Sequence, residues 1–249
     1  METLLFTIEK RPYVFIFLVA FLVIGCLTRG WKRTFIFLFS GYLIAWGSEA
    51  LSIRTGFPYG WYFYIYENLK GEWMNCGVPV WDSLSYTFLS FAGLSVAEYL
   101  LNQSSKKLIL FKTAFLSAFL VMLLDIIIDP LAHLGDRWFL GKIYYYPNPG
   151  WYFNVPLSNF IGWFFVTALI VGVNPPRPPF AKGGLGGIFL YFGIFLFNFG
   201  ITLWIKEWTL VLLDLMWISL PLGLIIFKYK SQSRDKANRA GPEYGAPRG

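Results

Sequence analysis

The sequence has very few of the side chains on which metal and redox chemistry depends. It contains one histidine, His133, and two cysteines, Cys26 and Cys76, in 249 residues. No CxxC or HExxH pattern is present, and a single imidazole cannot form the histidine cluster of a di-iron enzyme. A P-loop is absent, and no GxGxxG motif follows a strand. We therefore expect no metal and no cofactor, and we expect any chemistry to depend on side-chain acids and bases.

Charge is also scarce, whereas apolar and aromatic residues are abundant. Only 14% of the residues are charged, 56% are hydrophobic and 21% are aromatic, and the mean hydropathy is +0.53. These values fit neither a soluble globular domain nor a disordered chain. Seven apolar runs approach the ~20 residues that cross about 30 Å of hydrocarbon. They cover residues 13–27, 34–53, 80–101, 108–129, 157–173, 188–205 and 208–227.

These runs predict an all-α polytopic transmembrane bundle of about seven spans. Residues 1–227 would form one domain, and the polar, Gly- and Pro-containing tail 228–249 is expected to be disordered. Seven spans place fourteen of the 21 basic residues on one side and seven on the other. The positive-inside rule then favours a cytoplasmic C-terminus in the cell membrane. Because the basic residues are scattered over loops and tail, the net charge of +7 does not indicate nucleic-acid binding.

The fourth apolar run ends in LLDIIIDP, which carries two acids at helical spacing. Asp125 and Asp129 are four residues apart, so both carboxylates lie on one face of a helix, one turn apart. Pro130 disfavours helical geometry for Asp129, which predicts that the helix ends there. Ionisable groups at membrane depth are costly and usually serve a site. The pair is therefore the first functional candidate.

Other polar residues fall at matching ends of the predicted spans. Alternating helices place the end of span two, the start of span three, the end of span four and the start of span five at one membrane face. The residues at these positions are Glu49, Asp82, Asp125, Asp129 and Asn159. Two long Tyr- and Trp-rich connections, 57–79 and 131–156, meet at the same face, where aromatic side chains suit the membrane–water interface. Asp82 could instead cap its helix, and Asn159 could bond to a neighbouring helix.

Several of these segments resemble one known family. EALSIRTGFPYGWYFY, GVPVWDSLSY, LLDIIIDPLAHLGDRWFLG and WYFNVPLSNFIGW are similar to the carotenoid hydratases, including the bacterioruberin and γ-carotene hydratases. The resemblance covers roughly residues 48–163. These integral membrane proteins add water to the terminal double bond of an acyclic carotenoid end. The resemblance therefore implies a carotenoid substrate, a lipid bilayer and no cofactor, and it leaves other carotenoid enzymes open as partners.

The resemblance also implies roles for the polar and aromatic residues. Hydrating such an alkene requires a proton for one carbon and water for the tertiary cation left on the other. Two neighbouring carboxyl groups in apolar surroundings can hold one neutral acid and one ionised base. We expect Asp125, Asp129 and Glu49 to handle protons, and Asp82 and Asn159 to orient water. The end group would bind among five rings, namely Trp46, Tyr59, Trp61, Trp81 and Trp163.

Three other functions remain open at this point. A different proton-initiated reaction on the same lipid, such as end-group cyclisation or isomerisation, differs only in whether water reaches the cation. A transporter could use the acids as a proton relay, although no paired repeat is evident. A carotenoid-binding protein without turnover would need the aromatic pocket but not the acids.

Overall fold

The computed structural model describes residues 2–101, 106–174 and 184–240, and about four fifths of these residues are helical (79%). The helices are α1 (Glu2–Lys10), α2 (Pro12–Arg29), α3 (Trp31–Thr55), α4 (Val80–Leu101), α5 (Lys106–His133), α6 (Leu157–Val173), α7 (Gly184–Trp204) and α8 (Trp208–Ala240). Four two-residue strands, β1 (Phe63–Tyr64), β2 (Met74–Asn75), β3 (Val78–Pro79) and β4 (Tyr144–Tyr145), lie in the connections. The all-α fold class is confirmed.

Six of these helices are long and apolar enough to cross a membrane, namely α2, α3, α4, α5, α7 and α8. The seventh predicted span is α6, an apolar helix of 17 residues. At ~1.5 Å per residue it is about 25 Å long, close to the thickness of the hydrocarbon layer. The chain is therefore a polytopic membrane protein. Its orientation in the bilayer stays a prediction.

Two helices, α5 and α8, pass their predicted C-terminal ends by more than two residues. Helix α5 continues through Pro130 to His133, so the predicted end at Asp129 is wrong. Proline removes one intrahelical hydrogen bond, a small loss when only the last turn remains, and Leu131 gains full burial by staying in the helix. Helix α8 continues to Ala240 through residues predicted to be disordered, a stretch without Gly or Pro. Residues 241–249 of the predicted tail lie outside the described residues.

Helix α4 forms the centre of the bundle. Its side chains are buried around most of its circumference from Tyr86 to Ala97, as expected for a helix surrounded by others. Small residues let its neighbours approach closely. A Cβ atom on Gly93 would lie 3.0 Å from the Ser117 carbonyl oxygen of α5. Close backbone approach of this kind holds helices together in membranes.

The two long connections are joined to each other above one end of the bundle. Strand β1 pairs antiparallel with β4, so that Tyr64 lies opposite Tyr144 and Phe63 lies opposite Tyr145. Successive side chains of a strand point to opposite faces. Tyr64 and Tyr144 therefore share the face toward the helices, while Phe63 and Tyr145 are exposed on the other. We call this end of the bundle, which carries residues 56–79 and 134–156, the connection face.

Candidate functional site

A small cavity lies under the joined connections, where α3, α4, α5 and α6 meet. Its volume is about 70 Å³, which accommodates roughly two water molecules at ~30 Å³ each. Acidic, amide and aromatic side chains line it: Glu49, Tyr59, Tyr62, Tyr64, Asp82, Tyr86, Asp129, Tyr144, Tyr146, Asn159 and Trp163. The polar residues predicted to share one face therefore do so, and Asp125 joins them through Asn159.

One amide group connects the two aspartates of α5. Asn159 Nδ2 donates to Asp125 Oδ2 at 2.8 Å and to Asp129 Oδ2 at 3.1 Å. The one-turn spacing on α5 places both carboxyls toward α6, whose first turn carries Asn159. Only 2% of Asp125 and 8% of Asp129 are exposed. The two acids thus form one buried, hydrogen-bonded unit.

Two tyrosines of the second connection complete the surroundings of Asp129. Tyr146 donates its hydroxyl to Asp129 Oδ2 at 2.8 Å, and Tyr144 donates to Oδ1. Burial, followed by the charge of Asp129, raises the pKa of both hydroxyls well above the ordinary value of 10.0. Both phenols therefore remain protonated donors over the physiological range. With Asn159, three donors converge on Asp129, whereas Asp125 accepts a side-chain hydrogen bond only from Asn159 within the described ranges.

The other two acids lie on α3 and α4. Ser83 donates to Glu49 Oε2 at 2.8 Å, and Tyr64 donates to Asp82 Oδ2 at 2.6 Å. Asp82 does not cap its helix, because α4 begins earlier, at Val80, and Asp82 lies inside the first turn. The reason is that strand β3 leads directly into the helix, where Val80 N donates to Trp73 O at 2.9 Å. This leaves the carboxyl free to face the tyrosines.

Aromatic rings form one wall of the cavity. Tyr86 of α4 and Trp163 of α6 are stacked, with ring centroids 3.6 Å apart and an interplanar angle of 10°. Tyr59 packs beside Tyr86 at 6.0 Å, and its hydroxyl shares a hydrogen bond of 2.8 Å with Ser48. Tyr59 and Trp163, both predicted to line the site, therefore do line the cavity.

The three other predicted pocket rings lie elsewhere. Trp46 donates its indole N–H to Asn75 O at 3.2 Å in the first connection. Trp61 is largely exposed and stacks on Phe63 with centroids 6.1 Å apart, on the outer side of β1. Trp81 is buried but is directed away from the cavity, because its indole N–H donates to Glu72 at 2.6 Å. Their places depend on how the connections fold, which local sequence does not specify.

Sequence reasoning missed the inward-facing tyrosines. Five tyrosines line the cavity without having been predicted there: Tyr62, Tyr64, Tyr86, Tyr144 and Tyr146. A signal was present in WYFYIY, where tyrosines alternate with other residues at the period of a strand. Such alternation directs Tyr62 and Tyr64 to one side of the chain, whereas Tyr66, beyond β1, faces outward.

A second buried polar group was also missed, and it consists of an ion pair. Arg11 donates through Nη2 to Glu72 Oε1 at 2.7 Å and through Nε to Oε2 at 3.1 Å. Its Nη1 donates to Leu140 O at 2.6 Å, and the guanidinium lies 4.7 Å from the Trp81 ring. The two side chains are only 2% and 1% exposed. We call Arg11, Glu72, Trp81 and the Leu140 carbonyl the clamp, because they connect the start of α2 to both connections.

The described part of the chain contains no group of three or more His, Cys, Asp or Glu side chains arranged to hold a metal ion. Asn, Ser and Tyr groups contact the carboxyls of the cavity, and the ion pair of the clamp is formed by other residues.

Membrane-spanning helices around a buried acid cavity define a polytopic helical membrane protein with a hydrogen-bonded acid site. The chain belongs to the carotenoid biosynthesis protein family, whose model matches residues 11–221. The match extends from Arg11 of the clamp through every residue of the cavity. No curated protein and no solved structure is similar enough to match. A role in carotenoid biosynthesis follows from the family, and it agrees with the resemblance noted in the sequence.

Proposed function

We propose that the protein is a cofactor-independent carotenoid hydratase. It would add water across the terminal C=C bond of an acyclic carotenoid end group within the membrane. The observation that carries this proposal is the bridge from Asn159 to both Asp125 and Asp129 at 2.8 and 3.1 Å. Hydration needs one group that gives a proton and another that takes one, and the bridge holds two carboxyls at the same place.

The hydrogen bonds suggest which acid holds the proton. Asp129 accepts from Asn159, Tyr144 and Tyr146, and three donors suit it to carry the negative charge. Within the described part of the chain, Asp125 accepts a side-chain hydrogen bond from Asn159 alone, so a neutral carboxylic acid is the better occupant of its buried position. In this assignment Asp125 is the general acid and Asp129 is the general base.

The reaction then proceeds in two balanced steps. The π electrons of the terminal alkene take the proton of Asp125, which forms a C–H bond and leaves a tertiary cation. A lone pair of water then forms the C–O bond, and the resulting oxonium ion loses one of its two protons to Asp129. Glu49 or solvent water returns that proton to Asp125 before the next turnover. The sum is alkene plus water giving a tertiary alcohol, and nothing is oxidised or reduced.

The remaining residues of the cavity support these steps. Tyr86 and Trp163 present stacked faces beside the acids, and an aromatic face stabilises a nearby cation by about 0.5–2 kcal/mol. Asp82, held by Tyr64, and Asn159 would orient the water. A cavity of about 70 Å³ suits this small reactant. The polyene would approach its aromatic wall from the bilayer.

Expression in a lycopene-producing host tests the proposal. Pigments examined by mass spectrometry should gain one or two molecules of water, and an Asp129→Asn variant at the same membrane level should leave lycopene unchanged. Pigments of unchanged mass but altered chromatography would indicate cyclisation or isomerisation instead. Unchanged lycopene would contradict an enzymatic role toward this substrate.

Chelators added to membranes should not reduce the activity, because the proposed mechanism uses no metal.

A further inference from the structure

A second and larger concavity lies on the outer side of the two-stranded ribbon that β1 and β4 form. It is an open cleft of about 440 Å³, against about 70 Å³ for the inner cavity. Outward-facing residues of the connections line it, among them Phe63 and Tyr145, together with Arg54, Tyr66 and Cys76. Strands β1 and β4 therefore separate the two spaces, with opposite faces of one ribbon lining each.

Among the described residues, Tyr64 alone lines both spaces. Its side chain is buried and packs edge-on against Tyr62, with ring centroids 5.4 Å apart. On the inner side its hydroxyl donates to Asp82 at 2.6 Å. Tyr64 thus lies between the cleft and the cavity, and a hydrogen bond to one acid of the site holds its side chain in place.

The cleft is suited to water rather than to hydrocarbon. It lies among the connections, outside the candidate membrane spans except at the last turn of α3. Arg54 donates to the carbonyls of Ala50 and Cys76 at 2.6 and 2.9 Å, and Tyr66 donates to Gly77 O at 3.2 Å. A charged guanidinium and a hydroxyl at this surface favour an aqueous filling.

We propose that the outer cleft is the vestibule through which water reaches the acid cavity, and that movement of Tyr64 opens the passage. The inference rests on the proposed function, because it names the route of the polar reactant of that reaction. The polyene arrives from the bilayer, and the cleft admits water from the opposite direction. Tyr64 acts as a positioning residue, which controls access and also orients Asp82.

The native cysteines allow a direct kinetic test. Cys76 is exposed in the cleft, whereas Cys26 lies on α2 and can be replaced by Ser. In the Cys26→Ser chain, a bulky maleimide on Cys76 should lower kcat about tenfold and leave KM for the polyene unchanged. A methylthio adduct at the same position should leave kcat within about twofold. A Cys26→Ser/Cys76→Ser chain treated with the maleimide supplies the control.

A change in KM with constant kcat would assign the cleft to the polyene and overturn the proposal. An unchanged rate with the bulky adduct would overturn it as well. Both outcomes require a protein that turns over, so failure of the hydratase proposal itself would be recognised first, as a lack of product.

A second measurement does not depend on turnover. Ser83 is buried and donates to Glu49, which lines the cavity, and Ser83→Cys places a thiol beside that carboxyl. In the Cys26→Ser background, a small water-soluble methanethiosulfonate should label this thiol at least tenfold faster with Tyr64→Ala than with Tyr64→Phe, which keeps the ring. A maleimide previously attached to Cys76 should suppress the labelling. Equal labelling rates in the two Tyr64 variants would place the water route elsewhere. A labelling rate that the maleimide on Cys76 does not change would do so as well.

Discussion

The molecule buries acids in two regions, and their surroundings differ. In the clamp, the carboxylate of Glu72 has a cation, Arg11, bound through two hydrogen bonds of 2.7 and 3.1 Å. At the cavity, the carboxyls of Asp125 and Asp129 accept side-chain hydrogen bonds from one amide and two phenols, with no cation bonded to them among the described residues. A bidentate arginine balances the charge of a buried carboxylate through an ion pair. A buried carboxyl that has only neutral donors can still exchange a proton.

The difference separates a structural acid from acids available for chemistry. Burying a charge costs several kcal/mol unless it is paired, and in the clamp the pairing of Glu72 with Arg11 offsets that cost. The cavity acids have no such offset, and ionisable groups kept at membrane depth usually serve a function. Substitutions in the cavity should therefore reduce activity, whereas substitutions in the clamp should reduce stability.

The largest effect is expected from removing a titratable group of the cavity. Asp125→Asn and Asp129→Asn keep the size and most hydrogen bonds, but they remove the acid or the base. Loss of a positioned proton donor or acceptor typically costs about 10²–10⁴-fold in rate. The amount of hydroxylated product per folded molecule is the measurement. Normal hydration by both variants would place the proton chemistry at other residues.

Breaking the clamp should affect stability instead. Arg11→Met leaves Glu72 buried without a cation, a change that typically costs about 3–5 kcal/mol. Thermal unfolding in detergent measures the loss. The double variant Arg11→Met/Glu72→Leu should recover much of it, since no unpaired charge remains. If the single variant unfolds like the wild type, the clamp does not hold the connections.

A smaller effect is expected at Asp82. Asparagine keeps an oxygen that can accept the hydrogen bond of Tyr64, and Asp82 is not one of the bridged pair. Asp82→Asn should therefore lose no more than about tenfold in activity, which is a smaller loss than the ~10²–10⁴-fold typical of a missing acid or base. Membrane levels should be matched before product is measured. Complete inactivity of Asp82→Asn, together with active Asp125 and Asp129 variants, would move the centre of the site to α4.

The smallest effect concerns alkaline pH. Burial raises the pKa of Tyr64, Tyr144 and Tyr146 above the ordinary value of 10.0. Below about pH 10 these phenols are protonated in the folded and unfolded chains alike, so their contribution to stability is constant. Above it the unfolded chain loses protons that the folded chain keeps, and stability falls as pH rises. Thermal unfolding between pH 7 and 11 should show this fall, and Tyr144→Phe/Tyr146→Phe should weaken it.

The sequence predicts the helices and the end of the bundle at which the acids lie, because both depend on local rules. Apolar runs of sufficient length must cross the membrane as helices, and the alternation of spans places Glu49, Asp125 and Asn159 at one end. Helical spacing then directs both aspartates of α5 to one side. These predictions required no knowledge of how distant segments meet.

The aromatic connections were harder to predict because their contacts are long-range. The pairing of β1 with β4 joins residues some eighty positions apart in the chain, and it decides that Tyr64 faces inward and Phe63 outward. The place of Trp81 depends on Arg11 and Glu72, which arrive from two other segments. A helix that continues past Pro130 likewise reflects tertiary burial of Leu131 rather than local preference.

The most direct test makes the same chemical change in both regions. Asp129→Asn and Glu72→Gln each convert a buried carboxyl into an amide, and each variant is assayed for thermal stability and for water added per folded molecule. Asp129→Asn should be as stable as the wild type and about 10²–10⁴-fold less active, whereas Glu72→Gln should lose stability and keep its activity per folded molecule. The reverse pattern, an unstable Asp129→Asn and a stable but inactive Glu72→Gln, would contradict the assignment of chemistry to the cavity and structure to the clamp.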